Sequence, residues 1–181
     1  AIEHLVELIE ATDNHLNSGV MGYRFVLNIL ADNGYVDFAY KLITQKTWPS
    51  WGNLIKQGAT TLWETFTEFV HTERGIEQKM DSNRLWSLNH SCFGGVSTWF
   101  YNYVAGIKVK SAKVLEISPN FITGLESASA SFENLGNTIS VSWKMSNGKN
   151  VVCIDNKGFD GIVKLGDFIY KLVNGKKEYE I

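Results

Sequence analysis

Apolar residues recur at helical spacing along the first hundred positions and at alternate positions in the last fifty. Ile2, Leu5, Val6 and Ile9 form one stripe of a helix, and the polar, turn-rich residues 12–19 end it. Tyr23, Val26, Leu27 and Leu30 repeat the spacing. Asn33-Gly34 then supplies residues that tolerate a left-handed helix cap. Val36, Ala39, Tyr40 and Ile43 give a third stripe, with Asp37 placed at the positive end of the helix dipole. Trp48-Pro49-Ser50-Trp51-Gly52 breaks the pattern. From there to His90 the periodicity fades, apart from a short turn expected over 53–57. Ordered loops of this length are uncommon unless they are functional. Val96, Trp99, Phe100 and Tyr103 restore the helical stripe, which Gly106 ends. Four main helices with short connections are the habit of antiparallel helical hairpins.

Antiparallel order has a consequence for the loops. Residues 12–19 and the long segment 47–95 fall at the same end of the helices, and the Asn33-Gly34 turn at the other. Asn14 and His15 are thereby expected on one rim with Glu64 and His90.

Beyond Gly106 the character changes. Residues 112–118 carry Val114 and Ile117, and Ile139, Val141, Trp143 and Met145 alternate with Ser140, Ser142 and Lys144. Such alternation makes a strand with one buried face. Asn147-Gly148 is the signature of a type I′ hairpin turn, so 151–154 is expected to pair back. Residues 160–165 and 167–173 read as further strands, with Asn174-Gly175 turning into a last one at 177–181. The fold class expected is α+β: antiparallel helical hairpins over 1–107, then a small antiparallel β-sandwich over 108–181.

Composition narrows the function classes. A 44% hydrophobic, 20% charged chain of 181 residues is an ordinary globular protein. A formal charge of −2 provides no electrostatic footprint for nucleic acid or an anionic membrane, so neither is expected as a partner. No apolar run approaches the ~20 residues that span a bilayer. The start, Ala1-Ile2-Glu3-His4, is already helical and reads as cut from something longer, which leaves the compartment open between cytoplasm and periplasm. Cys92 and Cys153 make no disulfide framework and read as free structural thiols. Cys92 lies close to His90, but no third group nearby would orient a nucleophile. His4, His15, His71 and His90 lack metal-ligand spacing, so neither metal nor cofactor is expected.

The candidate chemistry lies in the aperiodic segment. It holds Trp48, Trp51, Trp63 and Trp86, four of the six tryptophans. Glu64 directly follows Trp63, and the segment closes with Ser87-Leu88-Asn89-His90. A flat apolar face beside a carboxylate and an imidazole suits a sugar ring. The same residues also fit core tryptophans and a solvated loop acid.

The ordered motifs 14–19 (Asn-His-Leu-Asn-Ser-Gly), 32–40 (Asp-Asn-Gly-Tyr-Val-Asp-Phe-Ala-Tyr), 49–52 (Pro-Ser-Trp-Gly), 58–64 (Gly-Ala-Thr-Thr-Leu-Trp-Glu), 87–90 (Ser-Leu-Asn-His) and 104–107 (Val-Ala-Gly-Ile) are more specific. In that order they resemble the C-terminal end of bacterial α-L-rhamnosidases, glycoside hydrolase family 78. The resemblance implies a barrel of six helical hairpins followed by a β-sandwich, with this chain holding about two of the six hairpins. It implies hydrolysis of terminal α-linked L-rhamnose with inversion. One carboxylic acid protonates the leaving oxygen, and a carboxylate roughly 6.5–9.5 Å away takes a proton from water. By resemblance Glu64 is that general base, His90 binds the sugar with Asn89 beside it, and Trp51 and Trp63 wall its apolar face. Ser91-Cys92 stands where the family commonly has Tyr-Ala, and Thr65-Phe66 where it often has Arg-Trp, so aglycone contacts are expected to differ.

The family's general acid lies far upstream, and Asp13, Asp32, Asp37, Glu68 and Asp81 sit in other contexts. The isolated chain is therefore expected to be inactive. Its partners would be L-rhamnose-containing glycosides and the missing N-terminal part of its own barrel, with self-association through the exposed apolar face when isolated. The alternative is a non-catalytic carbohydrate-binding or docking module working through an aromatic platform on the sandwich. Trp143, its one tryptophan, sits on the apolar side of its strand.

Overall fold

The computed structural model describes residues 1–16, 18–66, 69–72, 75–78 and 87–181. Trp86, Glu68 and Asp81 lie outside them. The chain forms two compact units, Ala1–Val96 and Ser97–Ile181.

In the first unit the stripes become α1 (Ile2–Glu10), α2 (Val20–Asp32) and α3 (Val36–Thr44). The Asn33-Gly34 cap closes α2 with Gly34 N–H on Ala31 O at 3.2 Å and Tyr35 N–H on Leu30 O at 2.9 Å, the paired bonds of a Schellman end. The turn expected over 53–57 is a fourth helix, α4 (Trp51–Lys56). It begins earlier than expected because buried Ser50 caps it, accepting Asn53 N–H at 3.0 Å on its hydroxyl. The segment expected to lack periodicity contains an antiparallel pair, β1 (Phe69–Thr72) and β2 (Gly75–Gln78). A 3₁₀ turn at Ser91–Phe93 then leads into α5 (Gly95–Trp99), which continues as a π-helical turn over Phe100–Val104.

α2 packs against α3 and the 3₁₀ turn, and α3 against α4. The centre of this packing is aromatic. Tyr23 of α2 meets Trp51 edge-on at 5.5 Å and Phe93 at 5.0 Å, while Phe66 stacks on Phe93 at 4.3 Å. The Tyr23 hydroxyl donates to Leu16 O, and burial pushes its pKa up to about 12, so it remains a donor throughout the ordinary pH range.

The second unit holds two four-stranded sheets. One runs β10 (Gly175–Glu180), β7 (Lys149–Lys157), β6 (Asn137–Ser146), β5 (Ser127–Asn134). The other runs β3 (Ile107–Ser111), β4 (Val114–Ile117), β8 (Asp160–Leu165), β9 (Phe168–Lys171). The buried faces supply the core of the sandwich: Ile139, Val141 and Trp143 from β6, Val152 and Ile154 from β7, Leu115 and Ile117 from β4, Val163 and Leu165 from β8. The type I′ turn is present, with Asn147 at φ 51° and Gly148 at φ 77° joining β6 to β7.

Two features depart from the expected all-antiparallel sandwich. β4 and β8 pair in parallel, because the chain leaves that sheet after β4, lays down β5–β7 in the other, and returns. β9 and β10 do not form a hairpin: β9 pairs with β8 and β10 with β7, so Asn174-Gly175 carries the chain from one sheet to the other. Fully buried Asn156 secures that crossing. Its amide donates to Phe159 O at 2.9 Å and Val173 O at 3.2 Å, and its carbonyl accepts Phe159 N–H at 3.2 Å. Gly106 permits another close approach: at φ 78°, a Cβ there would lie 2.1 Å from Pro119 N.

Trp143 is 2% exposed and donates its indole N–H to Val104 O at 2.8 Å, so it offers no platform to a ligand. Glu116 of β4 lies 3.2 Å from Lys164 Nζ and 3.3 Å from Lys110 Nζ. Burial alone would raise its pKa, but the two ammonium groups outweigh it and hold the carboxyl below the ordinary carboxylate range. A depressed folded pKa contributes stability that is complete above the unfolded value, about 4.3, and is lost as pH falls through the lower folded one. Glu116→Gln is therefore expected to narrow the difference in Tm between neutral and acid pH. Thermal melts of both proteins check this, and parallel Tm-against-pH curves would contradict it.

Candidate functional site

The site forms where residues 61–66 run alongside 87–93. His90 N–H donates to Leu62 O at 2.8 Å, Glu64 N–H donates to Ser87 O at 2.9 Å, and the Thr61 hydroxyl donates to Leu88 O. Local residue order decides which side chains face where. Trp63 and Phe66 are buried and anchor the first strand of chain, leaving Glu64 half-exposed between them. Ser87 N–H then donates to Glu64 Oε2 at 2.9 Å. Glu64 and Ser87 thus hold each other twice, once through the backbone and once through the carboxylate.

The imidazole is oriented by a cap. His90 is the N-cap of the 3₁₀ turn, and its Nδ1 accepts Cys92 N–H at 3.1 Å. A nitrogen that accepts carries no proton, so the proton of the neutral ring sits on Nε2. The ring is exposed, and what it presents is a donor. Asn89, also exposed, is fixed through its backbone: its N–H donates to Ser87 Oγ at 3.1 Å, and that hydroxyl lies 3.1 Å from Asn89 O. Capping uses Nδ1 and leaves Nε2 free to serve a ligand, so the two roles are compatible in His90.

Trp51 and Trp63 occupy the core of this unit at 8% and 3% exposure. Trp51 packs against Phe66, two residues beyond Glu64, at 5.3 Å and against Phe93 at 6.2 Å. It therefore braces both chain segments of the site from beneath. Cys92 Sγ lies 3.5 Å from Glu64 O and 3.8 Å from Trp63 O. Burial raises the Cys92 pKa and the nearby Glu64 charge adds to this, so it stays a neutral thiol donor, as a structural cysteine should.

The long-range contacts described for Asn14 and His15 run to the chain just before α4. Gln45 Nε2 donates to Asn14 O at 3.3 Å, and His15 Nε2 lies 2.8 Å from Thr47 Oγ1. Ser87 is the residue to which sequence reasoning assigned no role. Its hold on Glu64 crosses 23 positions, and no local pattern signals it.

A helical-hairpin unit with a loop carboxylate and an exposed imidazole on adjoining chain segments, followed in sequence by a β-sandwich, is the arrangement expected of the six-hairpin glycosidases. The bacterial alpha-L-rhamnosidase 6 hairpin glycosidase domain matches residues 1–104, and the chain belongs to that family. An α-L-rhamnosidase of Formosa agariphila is 35% identical over 149 residues, covering 81% of this chain and 16% of the relative. One of Streptomyces avermitilis is 37% identical over 150 residues, covering 82% and 14%. The crystal structure of the Streptomyces avermitilis enzyme complexed with L-rhamnose superposes on 99% of this chain and 19% of its own, with TM-score 0.85 and 28% identity. The α-L-rhamnosidase of Dictyoglumus thermophilum covers 99% and 23%, with TM-score 0.83 and 25% identity. The chain thus spans 14–16% of the length of these two curated relatives.

Proposed function

We propose that this chain supplies the base-bearing part of an inverting α-L-rhamnosidase, with Glu64 as the general base. The observation that carries this is the grip of Ser87 on Glu64: a half-exposed loop carboxylate oriented by a backbone N–H, in a family whose relatives are α-L-rhamnosidases. In the reaction Glu64 takes a proton from the water that attacks the anomeric carbon, while a carboxylic acid from the rest of the barrel protonates the departing oxygen. Glu64→Gln in the full-length enzyme, with turnover and rhamnose binding measured separately, is the test.

His90 donates its Nε2 proton to a rhamnose hydroxyl, with Asn89 beside it on the same exposed turn. Trp51 and Trp63 contribute as the rigid apolar support of the pocket. His90→Asn separates the two jobs of the imidazole. An asparagine at the N-cap still accepts Cys92 N–H on Oδ1, so folding is retained, but its shorter amide places no donor where Nε2 stood. One hydrogen bond is worth about 1–1.5 kcal/mol, so KM for a rhamnoside is expected to rise about 5–10-fold with Tm little changed. An unchanged KM would remove His90 from the substrate.

On its own the chain is inactive, because the acid is contributed from outside it. Met21, Phe25 and Ile29 line one side of α2 at 64%, 51% and 45% exposure, an apolar stripe at i, i+4, i+8. The isolated chain therefore self-associates. Sedimentation velocity is expected to show species larger than 20.4 kDa, and a clean monomer would contradict the proposal.

A further inference from the structure

The α1–α2 loop and the turn before α4 form an open cavity of about 440 Å³, lined by Thr12, Asp13, His15, Thr47, Trp48 and Pro49. None of these residues belongs to the Glu64, Ser87 and His90 set. The volume falls within the roughly 300–1,000 Å³ of small-molecule sites. Asp13 and Asn14 are both left-handed, at φ 57° and 59°, a conformation these two residue types tolerate.

The hydrogen positions on the lining follow from its contacts. His15 Nδ1 lies 3.2 Å from Thr12 O, and a carbonyl only accepts, so the ring proton sits on Nδ1. His15 Nε2 is then an acceptor, and the Thr47 hydroxyl donates to it at 2.8 Å. Thr47 Oγ1 has spent its one hydrogen and offers lone pairs. Thr12 Oγ1 is in the same state, its hydrogen shared between Ile9 O at 2.8 Å and His15 O at 2.6 Å. Asp13 adds a carboxylate. Beside this acceptor-rich wall stands Trp48, 54% exposed.

The matching ligand donates several hydroxyls in one direction and lays a C–H face against an indole in the other. An anion would meet the Asp13 charge, and a divalent cation needs more oxygen ligands than one carboxylate and two hydroxyls supply. We propose that this cavity binds a neutral sugar ring seated on Trp48, with hydroxyls donated to Asp13 and Thr47. Resting on the glycosidase reading, the ring is a unit of the rhamnoside other than the terminal rhamnose.

The test uses the full-length protein carrying Glu64→Gln, so that substrate persists, with fluorotryptophan incorporated and the Trp48 ¹⁹F signal assigned through Trp48→Phe. Titration with a rhamnosyl-glucose disaccharide or a rhamnose oligosaccharide is expected to move the Trp48 signal. Free L-rhamnose at the same concentration should leave it in place. Asp13→Asn and Thr47→Val should each weaken the response about fivefold, the effect of one hydrogen bond. In the wild-type background, Trp48→Ala should raise KM for the disaccharide and leave that for methyl α-L-rhamnoside unchanged if the ring is the one directly attached to rhamnose. If only the oligosaccharide moves the signal, the ring lies farther along the chain, and the site stands. A Trp48 signal unmoved by every saccharide at about 50 mM, or moved equally by free rhamnose, overturns the proposal. If Glu64→Gln keeps full turnover, the base assignment fails, and the Trp48 titration is then read with an S-linked rhamnosyl-glucose disaccharide that resists hydrolysis.

Discussion

Glu64→Gln in the full-length enzyme is expected to lower kcat by about 10²–10⁴-fold while L-rhamnose binding stays close to that of the wild type. The substitution changes one property. A glutamine side chain has the same shape, and its carbonyl oxygen can still accept Ser87 N–H, which meets Glu64 Oε2 at 2.9 Å. Trp63 and Phe66 remain buried on either side, so the segment keeps its path. What is lost is the capacity to take a proton from water. A second variant reports on the direction of attack. Glu64→Ala opens space beside the sugar, and azide, which needs no deprotonation, should restore turnover and yield a rhamnosyl azide of inverted configuration. Undiminished hydrolysis by Glu64→Gln, or a retained anomeric configuration in the azide product, would remove Glu64 from the role of base.

The largest effect on stability is expected at Trp143, in the other unit. Trp143→Ala should destabilise the sandwich by about 3–5 kcal/mol through lost burial and the cavity left behind. The indole is 2% exposed, meets Phe121 edge-on at 5.4 Å, and satisfies Val104 O. Trp143→Phe keeps an aromatic ring but leaves that buried carbonyl without its donor, a loss of about 1–3 kcal/mol. Denaturant midpoints in the full-length protein, followed by a probe in the sandwich, check both values. Equal midpoints for wild type and Trp143→Ala would mean that the indole is not a core element.

Much of the architecture was legible because it depends on near neighbours. Stripes at three-and-four spacing mark α1, α2 and α3, since a helix repeats its face within one turn. The Asn33-Gly34 cap and the Asn147-Gly148 hairpin each need only a few consecutive residues. β5 was missed for a related reason. Its Ser-Ala-Ser-Ala run alternates in burial but not in hydrophobicity, so the strand carries almost no signal of its own. β1 and β2, four residues each, are too short to establish a period. At the site, residue order and resemblance were enough to single out Glu64 and His90. The depth of Trp51 and Trp63 was not readable, because an indole beside a carboxylate has the same sequence whether it faces a ligand or a core.

Sequence by itself determined the inward stripes of α2 and α3 and of β6 as far as Trp143 (Met145, read on the same face, is exposed), where the tight turns fall, and which family this chain resembles. Only the tertiary structure decided that Ser87 holds Glu64, that β4 pairs with β8 in parallel, and that β9 and β10 belong to different sheets. The physical reason is separation along the chain. A turn or stripe is selected by neighbours a few bonds away, whereas a partner tens of residues distant is selected by the packing of everything between.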